Sequence, residues 1–243
     1  MRLLIIRHAE PDYAHNCLTP SGEEEAAILA RYIENYHIDD CYTSPMGRAL
    51  LTAKPCLEAL GKEAAVLDWL REFSYPFKRP DDMPYNTICW DWLPRCWADE
   101  PAYAREDAWL ETPAFASSVI PEKYRWVSGE LDRLLASYGY RREGRLYRAE
   151  AANHKTVALF CHFGVESVLL GHLLNIPPML LWHGTCAAPS SVTSLYTEER
   201  EEGYAYWRMN AFGEVPHLAR EGRAPSFYAR FRETFDDVEP DEP

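Results

Sequence analysis

The feature that most constrains this chain is its opening alternation of short apolar blocks with helix-like stretches. Leu3-Leu4-Ile5-Ile6 is a continuous apolar run too short for a helix, as expected of a strand buried on both faces. Polar, loop-like residues follow to Pro20, and Ser21 with Glu24 three places on reads as a capping box opening a helix striped by Ala26, Ala27, Leu29, Ala30 and Ile33. A brief strand over 40–43 leads to Ser44-Pro45, an expected N-cap and first helical position. The helix that follows carries Leu50, Leu51, Ala53, Leu57 and Leu60, and Gly61 is its natural stop. With a third strand candidate over 64–69, the order is β-α-β-α-β, which dictates a parallel sheet with right-handed crossovers.

The alternation then lapses. Between residues 73 and 118 no period is sustained, six prolines punctuate the stretch, and Trp90, Trp92, Trp97 and Trp109 fall within it. So many indoles favour an ordered excursion over a floppy one. Two roles fit it: a cap over a site, with its aromatic groups and Lys78, Arg79, Arg95 and Arg105 selecting the leaving group, or a satellite core or dimer contact. Order resumes with a helix over 121–138, a hairpin over 140–148 turning at Glu143-Gly144, a buried strand over 156–161 and an apolar helix over 163–174. Late strands are expected over 191–197 and 204–208, and a final amphipathic helix near 227–235. The acidic tail, about 236–243, is expected to be mobile. The whole, 1–243, reads as one α/β domain, a three-layer α/β/α arrangement around a mostly parallel central sheet, with an irregular Trp- and Pro-rich insertion at about 73–118.

Charge narrows the partners. A formal net charge of −13 lacks the basic footprint that nucleic acid requires and disfavours an anionic membrane surface. Neither does it exclude a small anionic substrate, since a local knot of arginine and histidine can override the global field. The seven cysteines show neither paired-zinc spacing nor a C-x-x-C, so free thiols in a cytoplasmic, reducing compartment fit best. The apolar stretch 168–182 is broken by His172, Asn175, Pro177 and Pro178 and does not read as a membrane span.

Two histidines share one structural context. His8 follows the strand 3–6 and His162 the strand 156–161, so both are delivered to the carboxyl edge of the sheet, where open α/β proteins bind ligands. Arg7 adjoins His8, and Arg48 lies in the first turn of the second helix. Guanidinium forks and a helix N-terminus both suit phosphate oxygens.

Taken in order, these segments resemble a known family. Arg7-His8-Ala9-Glu10 after a strand is similar to the R-H-G motif of the histidine phosphatase superfamily, the phosphoglycerate mutase-like enzymes. Leu18-Thr19-x-x-Gly22-x-x-x-Ala26, Ser44-Pro45-Met46-Gly47-Arg48-Ala49, Leu70-Arg71-Glu72-Phe73 and Cys161-His162-Phe163-Gly164 resemble its further segments in the family's order. Ala9 stands where the family usually has glycine, and Asn16 is not at the spacing of the family's usual asparagine, so that role is not carried over. The resemblance implies a nucleophilic His8, a phosphate cradle of Arg7, Arg48 and a protonated His162, and Glu72 as general acid and then base, with neither metal nor cofactor. It implies a phosphatase acting on a small phosphorylated metabolite, with a homodimer as a possible assembly. A phosphoglycerate mutase-type phosphotransferase and a non-catalytic binding module on the same fold remain alternatives, the mutase disfavoured by the short, acidic Pro11-Asp12-Tyr13.

Overall fold

A computed structural model describes residues 1–81, 88–228 and 234. The strands are β1 (Arg2–Arg7), β2 (Pro11–Asp12), β3 (Cys17–Leu18), β4 (Asp40–Thr43), β5 (Ala64–Val66), β6 (Tyr140–Glu143), β7 (Leu146–Ala149), β8 (Thr156–Cys161), β9 (Val192–Glu201) and β10 (Tyr204–Glu214). The α-helices are α1 (Pro20–Tyr32), α2 (Gly47–Leu60), α3 (Pro113–Ala116), α4 (Ile120–Ser137), α5 (Phe163–Leu174), α6 (Pro178–Gly184) and α7 (Pro216–Arg220). Eight strands form one sheet in the order β5-β4-β8-β1-β9-β10-β7-β6. The half from β5 to β1 is parallel, as the alternation predicts. From β9 outward every pairing is antiparallel; β9–β10 and β6–β7 are hairpins, and β7 closes against β10 from elsewhere in the chain.

Strand periodicity sorts the core into two faces. Leu4, Ile6, Ala158, Phe160 and Val192 pack with Leu29 of α1, Ile33 just after it, and Ala53 and Cys56 of α2. Leu3, Ile5, Leu159 and Leu195 face the other way, against Val127 and Leu131 of α4 and Val165, Val168 and Leu169 of α5. Each fully buried side chain of this kind stabilises the fold by ~1.5–3 kcal/mol. The helices thus lie on both faces of the sheet, in the three layers expected.

Several boundaries differ from the expectations, each for a local reason. The first helix is capped by Thr19, whose hydroxyl accepts from the Gly22 amide at 3.0 Å, so Pro20 takes the first helical position and Ser21 lies inside the turn. Ser44 is not a helix cap: its oxygen accepts from the Met46 amide (3.2 Å) and meets the His162 ring, and α2 starts only at Gly47. The third strand ends at Val66, after which Asp68–Leu70 coils into a 3-10 turn. The late strands run longer than their apolar cores, carried past Thr197 and Arg208 by mutual pairing with register shifts. The final helix expected near 227–235 falls almost entirely outside the described residues, and the acidic tail lies outside them.

The Trp-rich excursion is a series of short turns whose indoles join the main core. Trp92, Trp109 and Phe115 belong to the same apolar cluster as Ile5 and Leu159, and Phe77 stacks on Trp92 at 5.4 Å. An ion pair holds its entry: Arg79 and Asp81, with side chains 3% and 0% exposed, form a two-pronged fork at 2.9 and 2.6 Å. Arg79 also donates to the Trp90 and Asp91 carbonyls, and Asp81 accepts from the Leu93 amide. Removing one partner would leave the other charge buried. Arg79→Met is therefore expected to destabilise the protein by ~3–5 kcal/mol in chemical denaturation. A loss below ~1 kcal/mol would mean that the pair is solvated or dispensable.

Candidate active site

Parallel pairing of β1 with β8 places Arg7 opposite Cys161. The next residue on each strand is a histidine, so both imidazoles leave the sheet side by side. Their ring centroids are 5.0 Å apart, with planes inclined by 57°. The His8 amide donates to the Cys161 carbonyl at 3.0 Å, and the His8 carbonyl accepts from the Ser190 amide at 3.0 Å. Both side chains are buried, at 1% and 0% exposure.

The ring contacts assign roles to the nitrogens. His8 Nδ1 lies 2.8 Å from the Ala9 carbonyl, which can only accept. Nδ1 therefore carries the proton and Nε2 keeps its lone pair. His162 Nε2 lies 2.8 Å from the Ser44 hydroxyl, and its buried Nδ1 has no hydrogen-bond partner among the described residues. With Ser44 donating to Nε2, Nδ1–H is a donor waiting for an acceptor.

Electrostatics keep both rings neutral as the site stands. Burial first, and then the cations Arg7 and Arg48, push His8 well below the ordinary histidine range. Burial, then His8, Arg48 and Arg7, do the same to His162. The protonated His162 implied by the family resemblance presumed a neighbouring anion; cations alone act in the opposite direction.

Arg7 and Arg48 complete the cluster at 3% and 5% exposure. Arg7 Nη1 donates to the Ala187 carbonyl and Arg48 Nη1 to Asn16 Oδ1 at 3.0 Å, while the Nε of each is buried without a partner among the described residues. Thr52 locks the loop to the helix, donating to the Arg48 carbonyl (2.8 Å) and accepting from the Ala9 amide (2.9 Å). Ala9 does not have a positive φ, so a methyl group in the usual glycine place costs no strain.

Asn16 is a site residue that spacing arguments miss. It adopts a left-handed φ of 50°, and its backbone crosses so close to α2 that a Cβ on Gly47 would sit 2.2 Å from the Asn16 oxygen. The available signals were Asn itself, which tolerates this conformation, and the glycine before Arg48. Tyr13, also unforeseen, places its ring 5.3 Å from the Arg48 guanidinium carbon and 6.4 Å from the His8 ring.

Glu72 approaches from the loop after the 3-10 turn. Its Oε1 accepts from the Phe73 amide (2.7 Å) and from the Val165 amide in the first turn of α5 (3.0 Å). That leaves Oε2 for other chemistry. Gly164 makes the approach possible, since a Cβ there would lie 2.5 Å from Glu72 Oε1 and 2.7 Å from Trp90 Nε1. Trp90 donates to the Phe73 carbonyl at 3.0 Å and stands edge-on to Phe163, so one indole of the excursion walls the side of the site where Glu72 lies.

The five residues singled out in the sequence thus converge: Arg7 and Arg48 bear on both imidazoles, and Glu72 bears on Arg48. Arg79 and Arg105 do not join them, being committed to Asp81 and Asp107. His15 is exposed and pairs with Asp12, while His183 packs on Trp97 and accepts from the Trp92 amide. No cluster of metal-ligating type occurs among the described residues.

Comparison with known proteins bears on the family and the fold. Residues 3–114 match the model of the histidine phosphatase superfamily (branch 1). A curated relative from Hydrogenobacter thermophilus that bears a phosphoserine phosphatase name is 35% identical over 83 residues, 30% of this chain; the match spans only 41% of that relative's length. Among solved structures, a phosphoserine phosphatase variant from Entamoeba histolytica bound to phosphoserine superposes with a TM-score of 0.58 at 17% identity, over 89% of this chain and 98% of the other. A mycobacterial glucosyl-3-phosphoglycerate phosphatase with bound VO3 gives 0.54 at 17% identity, over 88% and 99%. At such identities the structural likeness speaks for the fold, and the sequence match speaks for the family. Residues 3–114 thus resemble the histidine phosphatase superfamily, and the chain has a phosphoglycerate mutase-like fold.

Proposed function

We propose that this protein is a phosphomonoester phosphatase that works through a phosphohistidine on His8. The observation that carries the reading is the hydrogen bond from His8 Nδ1 to the Ala9 carbonyl, which leaves an unprotonated Nε2 among buried cations. In the first step Nε2 attacks phosphorus in line, the N–P bond forming as the bond to the leaving oxygen breaks. Arg7, Arg48 and His162 Nδ1–H stabilise the three equatorial oxygens. A bound dianion would draw a proton onto His162, reversing the effect of the surrounding cations. Glu72, anchored through Oε1, delivers a proton from Oε2 to the leaving oxygen. It then takes one from the water that attacks the phosphohistidine, and phosphate departs.

The mouth favours water over a second phosphorylated acceptor. Tyr13 stands beside Arg48, its chain neighbour Asp12 pairs with the exposed His15, and an aromatic ring with a carboxylate next to it is a poor seat for the second anionic group that a mutase must retain. The substrate class is a small phosphorylated metabolite, in keeping with the phosphoserine and glucosyl-3-phosphoglycerate named for similar proteins. A cytoplasmic setting suits seven cysteines with no disulfide among the described residues.

Phosphate release measured across leaving groups tests the reading. Glu72→Gln should lower kcat/KM for alkyl phosphates by ~10²–10⁴-fold and for nitrophenyl phosphate far less, since that leaving group needs little protonation. Equal losses on both would remove Glu72 from the acid role. Gly164→Ala, whose new methyl would displace the same carboxylate, should reproduce this leaving-group bias while Glu72 is still present. A Gly164→Ala enzyme that loses both substrates equally would argue that Glu72 is not what the glycine accommodates.

A further inference from the structure

Beneath the cradle lies a buried carboxyl group that the mechanism above does not use. Glu166 sits in the first turn of α5, 1% exposed, and neither carboxyl oxygen has a hydrogen-bond partner of ordinary geometry among the described residues. Alternation along the strands shows what it faces. Arg7 is on the same face of β1 as Leu3 and Ile5, the face α5 covers, and Thr193 is paired with Ile5. Ser191 accepts the Arg7 amide on its carbonyl and lies two residues before Thr193, on that same face. Arg7 Nε and Ser191 Oγ are likewise buried without partners. Polar atoms gathered unsatisfied in an apolar interior are costly, so their grouping directly behind a phosphate-binding guanidinium calls for an explanation.

Building on the cradle reading above, we infer that Glu166 is a positioning residue behind Arg7 that takes up a proton when a phosphoryl group enters the cradle. The titratable groups facing it are few. The Thr193 hydroxyl and then Arg7 from β1 favour the carboxylate, while Glu72 disfavours it. Cys161 of β8 is held a neutral thiol by burial and by Glu166 itself, and the remaining polar groups on that side are the hydroxyls of Thr193 in β9 and of Ser191 just before it. Burial dominates and raises the carboxyl to about 7, so in the empty protein it is divided between its two forms near neutrality. A dianion on the far side of Arg7 withdraws part of the guanidinium's attraction and adds like charge. Both effects push the Glu166 proton equilibrium further up, and a proton from solvent neutralises the carboxylate. The dianion therefore binds best when Glu166 is protonated, and deprotonation assists release of phosphate.

Inorganic sulfate is the suitable probe, because it stays a dianion throughout the range. Its affinity for the wild-type protein should fall between about pH 6 and 8 more steeply than for Glu166→Gln, by up to about tenfold per pH unit for a single coupled proton. Any proton taken up by His162 is common to both proteins, so the difference between their slopes belongs to Glu166. Carboxyl ¹³C NMR of the wild type gives a check that needs no variant: one glutamate should titrate near neutrality and move to higher pH when sulfate saturates the site. Equal slopes in the two proteins, or no glutamate titrating between about pH 6 and 8, would overturn the role of Glu166 and leave the phosphatase reading intact. If the wild type binds no sulfate at any pH, the cradle itself is wrong and both readings fall.

Discussion

The site depends on the parallel pairing of β1 with β8. Because Arg7 is registered opposite Cys161, the two histidines that follow are forced to the same sheet edge, 5.0 Å apart. Hydrogen bonds from the His8 amide to Cys161 and from the Ser190 amide to His8 fix the backbone where the strand ends. A register slip of one residue would turn Arg7 to the opposite face and separate the rings. The apolar residues that set this register, Leu3 and Ile5 on one face and Leu4 and Ile6 on the other, are thus also what aligns the catalytic candidates.

Having gathered two guanidiniums and two imidazoles in a space nearly closed to water, the fold must tolerate their repulsion. It does so by keeping the imidazoles neutral and by giving each guanidinium one oxygen acceptor, Ala187 for Arg7 and Asn16 for Arg48. What remains unsatisfied is informative. Arg7 Nε, Arg48 Nε and His162 Nδ1 are buried donors without acceptors among the described residues, and an anion with several oxygens is the ligand that such a set suits. Neutral imidazole at His8 is a nucleophile, whereas imidazolium is not. Burial first, and the crowded cations second, thus hold His8 in the form that the proposed attack requires.

Much of this was legible in the chain. The apolar run 3–6 and its counterpart 156–161 announce buried parallel strands, and the residue after each is a histidine. Gly61 ends α2 with a φ of +61°, and Gly144 turns its hairpin with +62°. Less visible was anything decided by tertiary contact. Ser44 looks like a helix cap until the His162 ring claims its hydroxyl. Asn16 stands at the wrong spacing, and only the fold brings its loop against Gly47. Glu166 reads as one polar residue in an apolar helix, and its place behind Arg7 depends on how α5 docks on the sheet. The Trp-rich excursion has no period because its indoles fill irregular space beside α5 and α6, where Trp109 and Trp182 meet at 5.9 Å, instead of lining a regular element.

Everything chemical rests on His8 Nε2 bonding to phosphorus. Rapid-quench mass spectrometry of the intact protein during turnover of nitrophenyl phosphate, followed by peptide mapping under alkaline conditions, tests it most directly. The account predicts one acid-labile phosphoryl group on His8, lost together with turnover in His8→Ala. Phosphate release persisting in that variant, or a phosphoryl group mapped to another side chain, would contradict it.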